Sequence, residues 1–341
     1  SGNTNGILGA WATFNNTTWA KTNGTGVAID GLSTFTDDTW AAGNNTNVTL
    51  AGANPASGST TNSLRITEAG AKTLTLAGTN TIASGGIIIT NDVGANATTI
   101  TGGSLTTSGA NVDLVLNQFN TAQNLTVASI ISNNARPART GTTTNASNSI
   151  TGLSDTSDLA VGMLITGTGI PANATITGIT SATQITISAN ATITGTPSLS
   201  AVGVTALTKT GAGTALLSGA NTYTGTTRVF EGTLRVTGNN GNKFYEVGSQ
   251  GRLELDIDGG TSGYGRGVLV NGAGLASTNG LYLAGGRNFN FQSSLTLAGN
   301  PSTVRQFGTG NAILHGWDSN GTHLTVDSSA SGSVIGSSIN F

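Results

Sequence analysis

The sequence predicts an all-β protein: a parallel β-helix (β-solenoid) carrying a small inserted β domain. Three observations carry that expectation. A five-residue phrase, apolar-x-Leu-small-Gly, occurs at 48–52, 74–78, 215–219, 281–285 and 295–299. Thr, Ile, Val and Leu alternate with polar residues at period two along most of the chain, the spacing of half-buried strands. Gly, Asn and Ser separate these runs every several residues, and no helical periodicity of useful length intervenes. Recurrence of one strand and its turn is the mark of a solenoid, whose units bury their apolar faces only against their neighbours.

The elements follow in order. Residues 1–50 hold Trp11, Trp19 and Trp40 among Thr/Asn/Gly-rich turns. They read as the first rungs, with aromatics filling a wide or end-most core. From 60 to 135, strand signals come at Ser63–Ile66, Thr73–Leu76, Gly86–Thr90, Thr98–Thr101, Val112–Leu116 and Leu125–Val127. Their spacing suits rungs of about 20 residues. The composition shifts at Arg136-Pro137-Ala138-Arg139, and the solenoid pattern resumes near Thr205. The expected division is therefore 1–139 for the first part of the β-helix, 140–203 for an inserted all-β lobe, and 204–341 for the second part. An insertion that leaves from a turn disturbs only adjacent rungs. Further strands are expected at Arg252–Ile257, Gly267–Val270, Leu281–Leu283, Phe289–Phe291, Leu295–Leu297, Ala312–Leu314 and Leu324–Val326. No amphipathic helix is available to cap an end, which points to end-to-end association or a longer parent chain.

Residues 207–236 carry the most specific text. Leu207, Lys209, Gly211 and Gly213 open it, and Leu217-Ser218-Gly219 follows. Asn221-Thr222-Tyr223-Thr224-Gly225 and Gly232-Thr233-Leu234 close it. This stretch resembles the autotransporter-associated β-strand repeat, with Ala215 where the family usually has a larger aliphatic residue. Gly9-Ala10-Trp11-Ala12 and the segment 100–105 are similar to text in large secreted proteins that carry it. The resemblance implies a right-handed parallel β-helix outside a Gram-negative-type cell. Within the lobe, Val161-Gly162-Met163 and Gly167-Thr168-Gly169-Ile170-Pro171 resemble a small module of phage tail and bacterial surface proteins.

Composition excludes several classes. A net charge of −2 with only 8 % charged residues gives no electrostatic footprint for nucleic acid. The absence of Cys removes disulfides and Cys-based zinc sites. No apolar run approaches the roughly 18 residues of a membrane helix. Ser1-Gly2 is compatible with a processed signal, and the tail 333–341 alternates for one strand only, so no translocating barrel is expected in this text.

The strongest acidic cluster is Glu254, Asp256 and Asp258, which period-two spacing puts on one strand's outer face. Such a ladder could bind calcium or act on a polysaccharide; the plainer reading is a solvated face partly balanced by Arg252. The start Asp256-x-Asp258 fails as a calcium loop, because the sharp-turn glycine position is Thr261 and the closing Glu position is Gly267. His315 and His323 bracket a turn at Asn320-Gly321 and read as surface histidines. Gly263–Gly267 lacks the Lys-Ser/Thr of a phosphate loop. Frequent Asn-x-Thr/Ser sequons follow from the composition, whereas stacked Asn and Thr suit rung-to-rung hydrogen bonds. Tyr223, Tyr245, Tyr264 and Tyr282 could stack on sugars if exposed, although inward-facing aromatics are the commoner outcome. No catalytic, cofactor-binding or metal residue is assigned, and no cofactor is expected.

The expectation is an extracellular structural or adhesive protein of the bacterial surface, not an enzyme, self-associating through solenoid ends or the C-terminal strand 333–341. Surface glycans or neighbouring cells are the expected external partners, without nucleic acid or membrane insertion. The alternatives are a β-helix lyase or hydrolase acting on polysaccharide, with Glu254, Asp256 and Asp258 as its residues, and a spacer segment of a giant adhesin.

Overall fold

The computed structural model describes residues 3–24, 28–238 and 244–255 in full. Beyond them it describes the backbone of strand segments from Val268–Val270 to Ile339–Asn340. The chain is all-β and winds as a parallel β-helix with three ladders of strands. On face A, segments 63–66, 86–89, 115–118, 207–210, 227–229 and 245–247 pair each on the next. On face B the succession is 72–76, 98–102, 125–127, 214–217, 233–236 and 252–255. Face C includes 79–82, 104–107 and 130–131. Parallel pairing continues through the later segments to Ile339–Asn340. Parallel partners need a crossover, and here each crossover is simply the rest of the turn.

Alternation explains the core. Leu74, Ile100, Val127, Leu217, Val236 and Leu255 are register partners in one inward row of face B, all buried. Each fully buried aliphatic side chain contributes about 1.5–3 kcal/mol of transfer free energy. The recurrent phrase, however, does not occupy one place in the rung. Leu74 is in register with Leu217, whereas Leu281 is in register with Leu253, Leu234 and Ala215. Leu295–Leu297 lies on face A instead, paired with Val268–Val270. Each face needs an apolar strand followed by a small residue at the corner, so the same words serve different sides.

The lobe interrupts one turn between faces C and A. The chain leaves after Ile130–Ile131, and Val204 then pairs with Asn111. Strand Ser198–Thr210 belongs to both bodies: its first half pairs antiparallel with lobe strands and its second half parallel with Asn111–Gln118. Thr142–Thr143, Ser149–Thr151, Gln184–Ile187 and Ile176–Ser181 form a separate antiparallel sheet. Its core is its own, with Ile150, Met163, Ile165, Ile176, Ile185 and Leu199 buried together.

The N-terminal region departs from the expectation of first rungs. Thr13–Phe14, Thr18–Thr22 and Ile29–Gly31 form an antiparallel ribbon. Asn15 and Asn16 have φ of 52° and 59°, the left-handed backbone that Asn tolerates, and they reverse the chain. The ribbon packs on the outside of face A. Trp19 is fully buried there with Ile7, Leu32, Ile88 and Phe119, while Ile87 and Ile89 point inward. Its ring leaves no space for a side chain at Gly86. Trp19 therefore fills an outer seam, not the solenoid core, and Trp11 is 72 % exposed.

The first parallel strand is Thr36–Asp37, pairing with Asn45–Asn47. The edge of Lys72–Ile89 is met by an irregular loop: the Thr75 N–H donates to Asn54 Oδ1 at 2.6 Å, and the Ser59 N–H to Asn80 Oδ1 at 3.1 Å. Trp40 and Ala53 pack against the main core. Asp38 accepts bonds from the Thr49 hydroxyl and from the Thr49 and Leu50 N–H groups. Burial works to raise its pKa, but those bonds, with Lys72 nearby, bring it below the usual carboxylate value. Rung-to-rung Asn bonds occur here: Asn47 Nδ2 donates to Asp37 at 3.0 Å, and Arg65 Nε to Asn47 Oδ1 at 3.1 Å.

Candidate functional site

Glu254 stands on the outer side of face B between the buried Leu253 and Leu255. Arg252 Nη2 lies 2.5 Å from its carboxylate and Arg235 Nε 3.9 Å away. That is a paired, half-exposed charge. Asp256, Asp258, His315, His323 and Tyr264 lie outside the described residues, as does the side chain of Tyr282. Tyr223 and Tyr245 are fully buried and so present no stacking surface.

The 207–236 segment resolves into the corner chemistry of one rung. Lys209 sits at an inward position, in register with Leu116 and Val229. Its Nζ turns to the corner and donates to the carbonyls of Thr210 (2.9 Å), Gly211 (2.6 Å) and Glu231 (3.0 Å). The Gly211 N–H donates to Glu231 Oε2 at 3.1 Å. Burial draws the Lys209 pKa from 10.5 down to about 7, opposed by the Glu231 carboxylate. One turn earlier, Gln118 Nε2 closes the corresponding corner by donating to the carbonyls of Asn120 and Gln123. Gly213 and Gly219 sit against carbonyl oxygens of the preceding turn.

Asn221 to Gly225 seal the place where the lobe leaves. Asn221 Oδ1 accepts the Ile131 N–H at 2.8 Å, and the Tyr223 N–H donates to the Ile131 carbonyl at 3.1 Å. Asn133 Oδ1 accepts from the N–H groups of both Thr205 and Thr224. The rung thus rebuilds a regular ladder across the insertion. The Tyr223 and Thr227 hydroxyls lie 2.6 Å apart, both fully buried. Tyr223→Phe should cost about 1–2 kcal/mol by leaving Thr227 without that partner, read as a shift in the denaturation midpoint.

A groove that no sequence motif marks lies on the outer side of face A, beside the ribbon. Its volume is about 710 Å³. Trp11 and Phe230 are exposed at its walls, Val115 is buried in its floor, and Asn111, Asp113 and Arg228 supply polar groups. Asp113 Oδ2 accepts from the Thr208 hydroxyl at 2.7 Å and from Arg228 Nη1 at 3.3 Å. Arg228 Nε also donates to Glu246 at 3.1 Å. Register explains the cluster, because Val115, Thr208, Arg228 and Glu246 are successive partners on one outward row. The sequence signal that could have found it is the hairpin text Phe14-Asn15-Asn16-Thr17, which folds the Trp11 segment back over face A. Among the described residues, no three His, Asp or Glu side chains gather to hold a metal ion.

Comparison with family models matches residues 207–236 to the passenger-associated-transport-repeat. No curated protein and no solved structure matches the chain.

Proposed function

We propose that this chain is a passenger-type segment of a secreted bacterial surface protein, serving as an extended structural and adhesive element outside the cell. The observation that carries the reading is the passenger-associated-transport-repeat at 207–236, placed as a working rung of a parallel β-helix. Continuous backbone ladders along the axis support a mechanical role, since each turn is held by its neighbours. The irregular segment 48–59 meets the edge of Lys72–Ile89 through Asn54 and Ser59, so stacking of copies is proposed through the opposite end. A polysaccharide-cleaving activity has less support, because Glu254 is committed to arginines.

Surface display tests the proposal. The chain, fused to a translocating barrel in a Gram-negative host, should be reached by antibody and by protease on intact cells. Labelling that appears only after lysis would overturn it.

A further inference from the structure

We infer that the groove between the N-terminal ribbon and face A binds a neutral oligosaccharide, with Trp11 as its stacking platform. The inference goes beyond surface display and rests on the lining of the groove.

The first observation is the exposure of the aromatics. Trp11 is 72 % exposed and Phe230 46 % exposed, and both line one concave surface. A large side chain in water at a pocket mouth costs apolar hydration, and such exposure marks ligand or partner surfaces. Trp offers a flat apolar face with a polar N–H at its edge. That pairing suits a sugar ring, whose C–H face is apolar and whose rim is hydroxylated.

The second observation is the polar complement. Asn111 is exposed and makes no side-chain hydrogen bond among the described residues, leaving an amide with donors and an acceptor. Asp113 spends only Oδ2 on Thr208 and Arg228, so Oδ1 remains available to a hydroxyl. Ser108 donates to the Ala83 carbonyl and keeps oxygen lone pairs as acceptors, whereas Ser84 both donates to the Asn62 carbonyl and accepts the Gly86 N–H, which leaves it one lone pair. Groups that both donate and accept around a partly apolar floor match a polyhydroxylated ligand.

Charge selects within that class. Arg228 is engaged by both Asp113 and Glu246, so among the described residues lining the groove no free cation awaits an anionic group. A uronic acid or sulfated sugar would meet Asp113 as a like charge, which disfavours it. The volume of about 710 Å³ falls within the roughly 300–1,000 Å³ of small-ligand clefts. A short neutral chain lying along the groove fits both constraints. Residues 4–11, which precede the ribbon and are tied to it by the Leu8 N–H on the Ala20 carbonyl, form one wall, so the site exists only because the hairpin folds back over the solenoid.

The test titrates the full chain with neutral oligosaccharides of glucose, mannose, galactose and N-acetylglucosamine, and with oligogalacturonate. Calorimetry and tryptophan fluorescence provide the readouts. At least one neutral series should bind and change the fluorescence, and oligogalacturonate should bind at least ten-fold more weakly. Trp11→Ala should weaken binding at least ten-fold and Asn111→Ala several-fold, whereas Trp11→Phe should retain part of it. Leu50→Ala, exposed elsewhere, should leave it unchanged. Absence of binding by every neutral series, or binding indifferent to Trp11→Ala in a protein with unchanged circular dichroism, would overturn the inference. Surface display of the Trp11→Ala variant is read separately and should equal that of the unmodified protein, so failure here is distinguishable from failure of the display reading.

Discussion

Gly213→Ala is expected to destabilise the β-helix by about 3 kcal/mol, a large share of the stability of an ordinary domain. The added Cβ would point at the carbonyl oxygen of Asn120 on the preceding turn, with Gln118 Cγ 2.9 Å away. Neighbouring strands are fixed about 4.7–4.9 Å apart by their hydrogen bonds, so that carbonyl cannot retreat without opening the ladder. The Gly213 N–H itself donates to the Gln118 carbonyl at 2.9 Å, which ties the two turns at this point. Gly232 stacks on the same corner, where a Cβ added to it would stand 2.6 Å from the Gly213 carbonyl oxygen, so a shift there passes to the next turn. Gly195→Ala is the control: nothing lies within 4 Å of its added Cβ, and it should change stability by less than about 0.5 kcal/mol. Chemical denaturation of both variants measures the difference. Equal midpoints for Gly213→Ala and the unmodified protein would show that the corner has slack. Because turns interact only with their neighbours, hydrogen exchange should accelerate mainly in the turns around 213, leaving the lobe protected.

The same residues show which parts of the fold were legible. Period-two alternation fixed the inward rows, because Leu74, Ile100, Val127 and Leu217 stack only if the strands are parallel and in register. The repeated phrase marks a strand at 74–78, 215–217, 281–283 and 295–297, but 48–52 lies outside any strand, and the side of the rung is not legible. Corners of all three faces ask for the same small residues, so text alone does not say which corner is meant. The N-terminal ribbon is not legible for a different reason. Thr18–Thr22 alternates like a rung, and only the left-handed pair Asn15-Asn16 says that it turns back. Taken as a rung, this segment puts Trp11 in a core, and the groove is then invisible. The groove's other members, Asn111, Asp113, Thr208 and Arg228, lie on either side of the lobe in sequence and are unremarkable singly. Only ladder register makes them neighbours.

Lys209 carries the second large effect. Lys209→Met is expected to cost about 3 kcal/mol near neutral pH, and the cost should grow as pH rises. Methionine fills the volume but leaves the carbonyls of Thr210, Gly211 and Glu231 without the Nζ donor. A buried polar group deprived of its partner costs about 1–3 kcal/mol, and here there are three, partly relieved by relaxation. Against this stands the gain from no longer burying an ammonium, which in other proteins can make such replacements neutral. The carbonyls decide the sign, because Met removes the donor while the acceptors remain. The pH dependence follows from the lowered pKa of about 7 against 10.5 for the unfolded chain. Below pH 7 the lysine is charged in both states and the burial penalty is fully present. Between pH 7 and 10.5 the folded protein has released a proton that the unfolded chain still holds, so stability gains up to about 1.4 kcal/mol per pH unit from this group. The difference between the unmodified protein and Lys209→Met, measured by denaturation at pH 6, 7.5 and 9, isolates that slope from the other titrating groups. A difference that stays constant from pH 6 to 9 would mean that the corner carbonyls hold Lys209 fully protonated. The same three bonds would then be worth more than the burial they offset, and the lysine would act as a permanent internal cation clamping one turn to the next.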